Sequence, residues 1–474
     1  MKQKNLYLCA ISAFLAAIIC LGSFVGCKIG DSPTISPSKE EKGTSESSLW
    51  LPSVKLPEYA EYLVEHATYP KMAKYPSSDR GSYAFDEEYK KCNYDKKERL
   101  KYFGSWEGLD EFYLSTVSEF LSDTNGKNAV YSPVNVYMAL AMLAETTDKN
   151  SRAQILSLLG ADSIDALRDK AHSIWNASYS DDCAVTSIIA NSVWLDSELD
   201  PNDETLKLLA KKYYASTFSG EMGSDELNKA LREWINEQTG GLLEDMTDGI
   251  ELDENTILTL ASTVYFQAKW ANEFQIVNTE ENIFHSPNGD VRVDFMRRTD
   301  TYGKYYFGEK FSATSKSLEG SGNMYFILPD EDVTVDELLH DTEALNFIAS
   351  NGNWENKKTI KVNLSVPKFD VSSNTDLAKG LKALGVTDCF DKKAASFAPL
   401  ISVDGESWVS SVEHGVRVAI DEKGVTAAAY TVIPVCGDAA PPIEEVDFVL
   451  DRPFVFVITG SDGIPMFVGV VNQP

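Results

Sequence analysis

Catalytic, metal-binding and nucleotide-binding sites show themselves by residue type and spacing, and this 474-residue chain offers little of that kind. Its histidines (His66, His172, His285, His340, His414) and its cysteines beyond residue 27 (Cys92, Cys183, Cys389, Cys436) lie far apart. No HExxH, GxSxG or P-loop occurs, and no GxGxxG opens a helix after a strand. The spacing supports neither a metal centre nor a hydrolase nucleophile, no cofactor is expected, and disulfides are allowed but not required. The segment whose residues suggest an activity is 422–446. It carries Lys423-Gly424, Cys436-Gly437 and Pro441-Pro442, the marks of a long exposed loop. Yet every second residue from Val425 onward (Ala427, Ala429, Thr431, Ile433, Val435) is apolar or small, the pattern of a strand face turned to a core. A segment that is a loop by context and a core strand by alternation has two states open to it.

The elements around that segment follow from periodicity. Phe112, Leu114, Val117, Phe120 and Leu121 recur at helical spacing and stop at Asp123, Asn125 and Gly126. Further helices are expected over 136–145, 151–159, 204–214, 224–239, 333–339 and 377–384. Strands are expected over 185–195, 257–266, 323–328, 359–366, 409–420, 448–450, 454–458 and 466–471. Helices clustered first and strands mostly later predict an α+β fold with large, mainly antiparallel sheets. Hydrophobic residues make up 43% of the chain, enough to bury a sizeable core. The net charge of −29 argues against a nucleic-acid partner or a basic lipid-binding face.

Ahead of this domain lie three segments of different character. Lys2 and Lys4 precede the uncharged apolar run 6–25, the form of a secretory signal peptide over 1–26. The run ends in Phe24-Val25-Gly26-Cys27, which resembles the lipobox of bacterial lipoproteins, with Phe24 in place of the usual Leu. Lipidation of Cys27 would fix the exported protein to the cell surface by a membrane anchor; a plain signal peptide or an uncleaved anchor are the alternatives. Residues 27–50 read as a flexible tether, and 51–108 as a Tyr/Pro-rich extension lying on the main domain.

Over 109–474 the chain resembles a serpin. The resemblance rests on Asn128 to Pro133, Asn191-Ser192-Val193-Trp194-Leu195, Trp234-Ile235-Asn236, Thr239-Gly240-Gly241 and Val264 to Trp270 with Phe274. It continues through Val366-Pro367-Lys368-Phe369, Leu384-Gly385-Val386, Asp421-Glu422-Lys423-Gly424 and Asp451-Arg452-Pro453-Phe454. It implies three β-sheets, eight or nine helices, an exposed reactive-centre loop and a monomer. The implied function is suicide inhibition of a serine, or cysteine, protease rather than catalysis: the attacked loop inserts as a new strand and traps the acyl-enzyme. A serpin-fold binding protein that traps nothing is the alternative, and Pro434, which cannot donate to a ladder, favours it.

The resemblance assigns the hinge to Glu422, Lys423, Gly424, Val425, Thr426, Ala427, Ala428 and Ala429; a short helix or linker is the other reading of the alanine run. Gly424 is expected to act as a pivot tolerant of unusual backbone angles. Glu422 and Lys368 match positions that pair where the loop enters the main sheet, and Trp270 matches the large aromatic there, although each is also readable as a surface charge or a core residue. His414 and Ser132 match the region beneath the opening sheet, while Asn135 and Ser262 depart from the usual residues. The family's spacing from the hinge Glu places the reactive bond at Asp438-Ala439, which suits an acid-specific protease. Small neighbours suit elastase-like or subtilisin-like proteases instead, with Cys436-Gly437 or Ala439-Ala440 attacked.

Overall fold

A computed structural model describes residues 57–76, 82–104, 108–182, 185–247, 249–254, 256–401, 407–409, 412–425 and 442–474. The chain divides into the units Met1–Ala60 and Glu61–Pro474. Of the first, only 57–60 are described, and they open a short 3-10 turn, Glu58–Tyr62. The second unit carries every strand and every α-helix among the described residues.

In chain order its strands are β1 (Leu63–Glu65), β2 (Ala129–Tyr131), β3 (Ser180–Asp181), β4 (Val185–Asp196), β5 (Ala215–Gly220) and β6 (Leu258–Lys269). Next come β7 (Glu280–Ser286), β8 (Gly289–Phe307), β9 (Phe311–Ser317), β10 (Asn323–Pro329), β11 (Lys357–Pro367) and β12 (Phe369–Asp376). The last are β13 (Glu413–Ile420), β14 (Gly424–Val425), β15 (Glu445–Val449), β16 (Phe454–Thr459) and β17 (Pro465–Val471). One sheet runs β1-β5-β4-β6-β14-β13-β12, with β3 beside β4; the other runs β15-β11-β8-β9-β10-β16-β17-β2, with β7 beside β8. The two face each other across an aromatic core, with Phe266 on Phe467 at 5.9 Å and Phe369 on Phe456 at 5.2 Å between ring centroids.

The α+β expectation stands, with two differences of count. The three expected sheets form two hydrogen-bonded networks, because the 19-residue β8 runs unbroken from its pairing with β7 to its pairing with β9. Eleven α-helices occur among the described residues instead of eight or nine. The additions include a single turn, Glu244–Thr247, and a helix in the extension, Tyr83–Leu100.

The helix most relevant to the site is Pro133–Thr146, which reads off its sequence in detail. Ser132 caps it by accepting from Asn135 N, Pro133 occupies the first turn where its missing N–H costs nothing, and thirteen of its side chains are buried. It packs on β6 and β17 and so sits under the eight-stranded sheet.

The extension is ordered where it meets this sheet. Its β1 covers the β5 edge, Leu63 opposite Phe218, and Tyr69 lies 5.3 Å from Trp175. From the helix Tyr83–Leu100, Lys96 pairs at 2.8 Å with the fully buried carboxylate of Asp182, and Arg99 donates to Asn176 Oδ1 at 2.8 Å. Asp182 leads directly into β4, so this ion pair fastens the extension to the upper end of the sheet.

Candidate functional site

Between β6 and β13 the eight-stranded sheet has a seam. Among the described residues these strands pair nowhere with each other; each pairs with the two-residue β14, Val425 standing between Ala268 and Ile420. β14 is the first part of the segment that alternation marks as a hidden strand. Val425 is buried, its side chain in the hydrophobic core.

The turn that delivers β14 is held from three sides. Asp421 closes it, its N–H donating to Gly424 O at 3.0 Å and its Oδ1 accepting from the N–H groups of Lys423 and Gly424 at 2.8 and 3.1 Å. The residues after β6 grip the carbonyls: Trp270 Nε1 donates to Asp421 O at 2.8 Å, Phe274 N to Glu422 O and Trp270 N to Lys423 O, both at 2.9 Å. Glu422 is buried, 8% exposed, and its Oε1 accepts from Lys368 Nζ and Thr279 Oγ1, each at 2.8 Å. Burial pushes the Glu422 carboxyl up, but the Lys368 and Thr279 hydrogen bonds outweigh it and leave the pKa below the usual value. Lys368 also reaches Asp294 at 3.6 Å, and its pKa is raised chiefly by its hydrogen bond to Glu422.

Gly424 is required by close packing in addition to the expected pivot. Its φ lies outside the left-handed region, but a Cβ there would stand 2.4 Å from Ala268 O and 2.8 Å from Lys269 Cα. Only glycine lets the turn approach β6 this closely.

Farther down the seam, His414 of β13 is buried and its Nε2 accepts the backbone N–H of Ser132 at 3.1 Å. The neutral ring therefore carries its proton on Nδ1. Burial pulls the His414 pKa down to about 3. Asn135 and Ser262, the two departures noted in the sequence, bond each other: Asn135 Nδ2 donates to Ser262 Oγ at 2.8 Å, and Ser262 Oγ to Asn191 Oδ1 at 2.7 Å. This chain of bonds joins the helix Pro133–Thr146, β6 and β4 under the sheet. Below it lies a cavity of about 310 Å³, lined by Leu258 to Thr263 of β6, by Gly415 of β13, by Asn374 of β12 and by Leu231 and Ile235 of the helix Asp225–Gln238.

The structure thus assembles Glu422, Lys423, Gly424, Val425, Lys368 and Trp270 at one end of the seam, and His414 with Ser132 along it. Thr426, Ala427, Ala428, Ala429, Pro434, the bonds among Cys436, Gly437, Asp438, Ala439 and Ala440, and the lipid site Cys27 lie outside the described residues. Sequence reasoning assigns no role to Thr279, Asp421 or Phe274, since the bonds they make join segments more than 140 residues apart or use backbone groups. Among the described residues no cluster of side chains could hold a metal, no helix is long and apolar enough to cross a membrane, and Cys92 and Cys389 are buried free thiols.

Comparison with known proteins places this geometry. A family profile described as Serpin (serine protease inhibitor) matches residues 107–474. An alpha-1-antitrypsin-like protein of Ictidomys tridecemlineatus is 29% identical over 374 residues, 77% of this chain and 88% of that protein. Serpin-Z1C of Triticum aestivum is 27% identical, over 73% of this chain and 90% of its own. Among solved structures, the thermophilic serpin Tengpin in its native state superposes with a TM-score of 0.69 at 26% identity, over 77% of this chain and 93% of that one. Human thyroxine-binding globulin in complex with thyroxine has the same TM-score at 21% identity, over 78% of this chain and 100% of that one, a likeness of fold alone.

Proposed function

Since the chain belongs to the serpin family, we propose that it is a suicide inhibitor of serine proteases that traps its target by inserting the cut loop between β6 and β13. The observation that carries this reading is β14: the first two residues of the alternating segment already pair with both strands, which pair nowhere with each other among the described residues. A protease serine attacks a loop carbonyl, the amine of the following residue leaves with a proton, and an ester joins enzyme to inhibitor. The freed end extends β14 downward, each inward residue finding apolar lining and each backbone group a ladder partner. The tethered enzyme is carried away from the geometry that deacylation by water requires.

The reactive bond in this reading is Asp438-Ala439, with Cys436-Gly437 and Ala439-Ala440 as alternatives, and the target is acid-specific, elastase-like or subtilisin-like. Export and lipidation at Cys27 would hold the inhibitor on a bacterial cell surface. Pro434 favours a second reading, a serpin-fold binding protein whose late insertion stalls for want of one ladder donor. Incubation with glutamyl-specific, elastase-like and subtilisin-like proteases separates the two. An inhibitor leaves a covalent species on denaturing gels; a protein that every protease cuts or ignores, with no such species, is not one.

A further inference from the structure

Beneath the gripping aromatics lies a charge that the insertion mechanism does not require. Lys316, on β9, is 4% exposed, and its Nζ sits 4.5 Å from the Phe274 ring centroid and 5.6 Å from that of Trp270. Among the described residues no carboxylate forms an ion pair with it; the neighbouring Asp300 is paired with Arg298 at 2.7 Å. The end of β9 is itself laced to the same stretch: Ala271 N donates to Ser317 O at 2.9 Å, Glu319 N to Lys269 O at 2.8 Å, and Leu318 bridges Trp270. Burying an ammonium against aromatic faces without a counter-ion is costly, and methionine would fill the same space without that cost.

We propose that Lys316 is a positioning residue for loop insertion, its ammonium pinning the rings of Trp270 and Phe274 so that Trp270 Nε1 stays on the Asp421 carbonyl and the segment whose backbone N–H groups hold the carbonyls of Glu422 and Lys423 keeps its place. The role rests on the reading that β14 is the start of an inserting strand. With the ammonium in place the rings are pinned and the turn is held; with it neutral, the rings loosen and the seam opens more readily. Burial, followed by the pull of Asp300 and the push of Arg298, sets the Lys316 pKa at about 8. The charged groups facing it are those two side chains on β8; β10 brings Met324 against it, and the segment after β6 brings the two rings. Lys269, at the end of β6, faces Glu319, Glu273 and Lys423 and is a separate lysine with a lowered pKa.

The test uses the exported full-length chain, its Lys316→Arg and Lys316→Met variants, and a synthetic peptide with the sequence of residues 425–435. The rate at which the peptide anneals into the sheet is followed from about pH 6.5 to about pH 9.5, a window that spans the lysine's titration. The wild type should accelerate about tenfold with a midpoint near pH 8. The arginine variant should stay slow throughout, and the methionine variant should be fast throughout. A pH-independent wild type, or an arginine variant that titrates like it, overturns the proposal; the arginine arm alone suffices if the methionine variant fails to fold. Covalent complex formation with an elastase-like protease is measured in parallel. A wild type that anneals peptide with the expected profile yet forms no complex would sink the inhibitor reading and leave Lys316 its role.

Discussion

The two ends of the seam between β6 and β13 are built on opposite principles. At the upper end, one turn is fixed by three backbone carbonyl bonds from Trp270 and Phe274, a doubly bonded buried carboxylate and a glycine in close contact with the β6 backbone. At the lower end, the same strands line a cavity of about 310 Å³, and the polar groups beneath them bond to one another across three elements instead of across the seam. The contrast separates rate from driving force. In the proposed mechanism, grip at the mouth would set how fast the sheet opens, and unfilled space lower down would be where an inserted strand gains its contacts.

Four perturbations test this division, and the largest expected effect is at the lower end. His414 is neutral when folded, with a pKa of about 3 against 6.5 for the free side chain. Below pH 6.5 the unfolded chain takes up a proton that the folded chain refuses. Stability is therefore fully present above that pH and falls as pH drops toward 3, by about 3 kcal/mol at pH 4. Denaturant titrations between pH 7 and pH 4 should show the slope, and His414→Gln should flatten it. Lys96→Met removes the lysine counter-ion from the buried Asp182 carboxylate beside the top of β4. Chemical denaturation should then show a loss of about 3 kcal/mol, whereas the double change with Asp182→Asn should recover most of it.

Smaller effects are expected at the mouth and in the polar chain. Glu422→Gln keeps the shape but removes the charge that Lys368 and Thr279 serve. It should cost about 2 kcal/mol and speed peptide annealing into the sheet, and an unchanged annealing rate would place the grip elsewhere. Ser262→Ala breaks the bridge from Asn135 to Asn191 and should cost about 1 kcal/mol in thermal unfolding, with little change in annealing rate. If Ser262→Ala instead accelerated annealing as much as Glu422→Gln, the proposed split between mouth and lower seam would be wrong.

Much of this is legible in the sequence, and the gaps have physical causes. Strong periodicity locates the helices at 109–121 and 224–239 and most central strands. The helix Ile164–Ser178 is missing from the expected set although Leu167, Ala171, Ile174 and Trp175 mark its inner face. β5 escapes because Ala215-Ser216-Thr217-Phe218 is small and polar, and β7 and β8 because exposed polar residues interrupt their alternation. Glu422 and Lys368 are reached through family resemblance, as no spacing rule links residues so far apart. Thr279 and the Asp421 turn are not, because their contribution is geometry. Gly424 stands out in the sequence as a pivot, whereas the property visible in the structure is close approach to β6, which excludes a side chain there.

The central claim is that the segment beginning at β14 completes the seam once the loop is cut. Hydrogen exchange along β6 and β13, compared in intact and loop-cut protein, tests it most directly. The account predicts that the amides of 258–267 and 413–418 that do not already bond β4 or β12 become strongly protected after cutting, together with a higher melting temperature. Unchanged exchange along both strands in a protein whose loop is fully cut would contradict it.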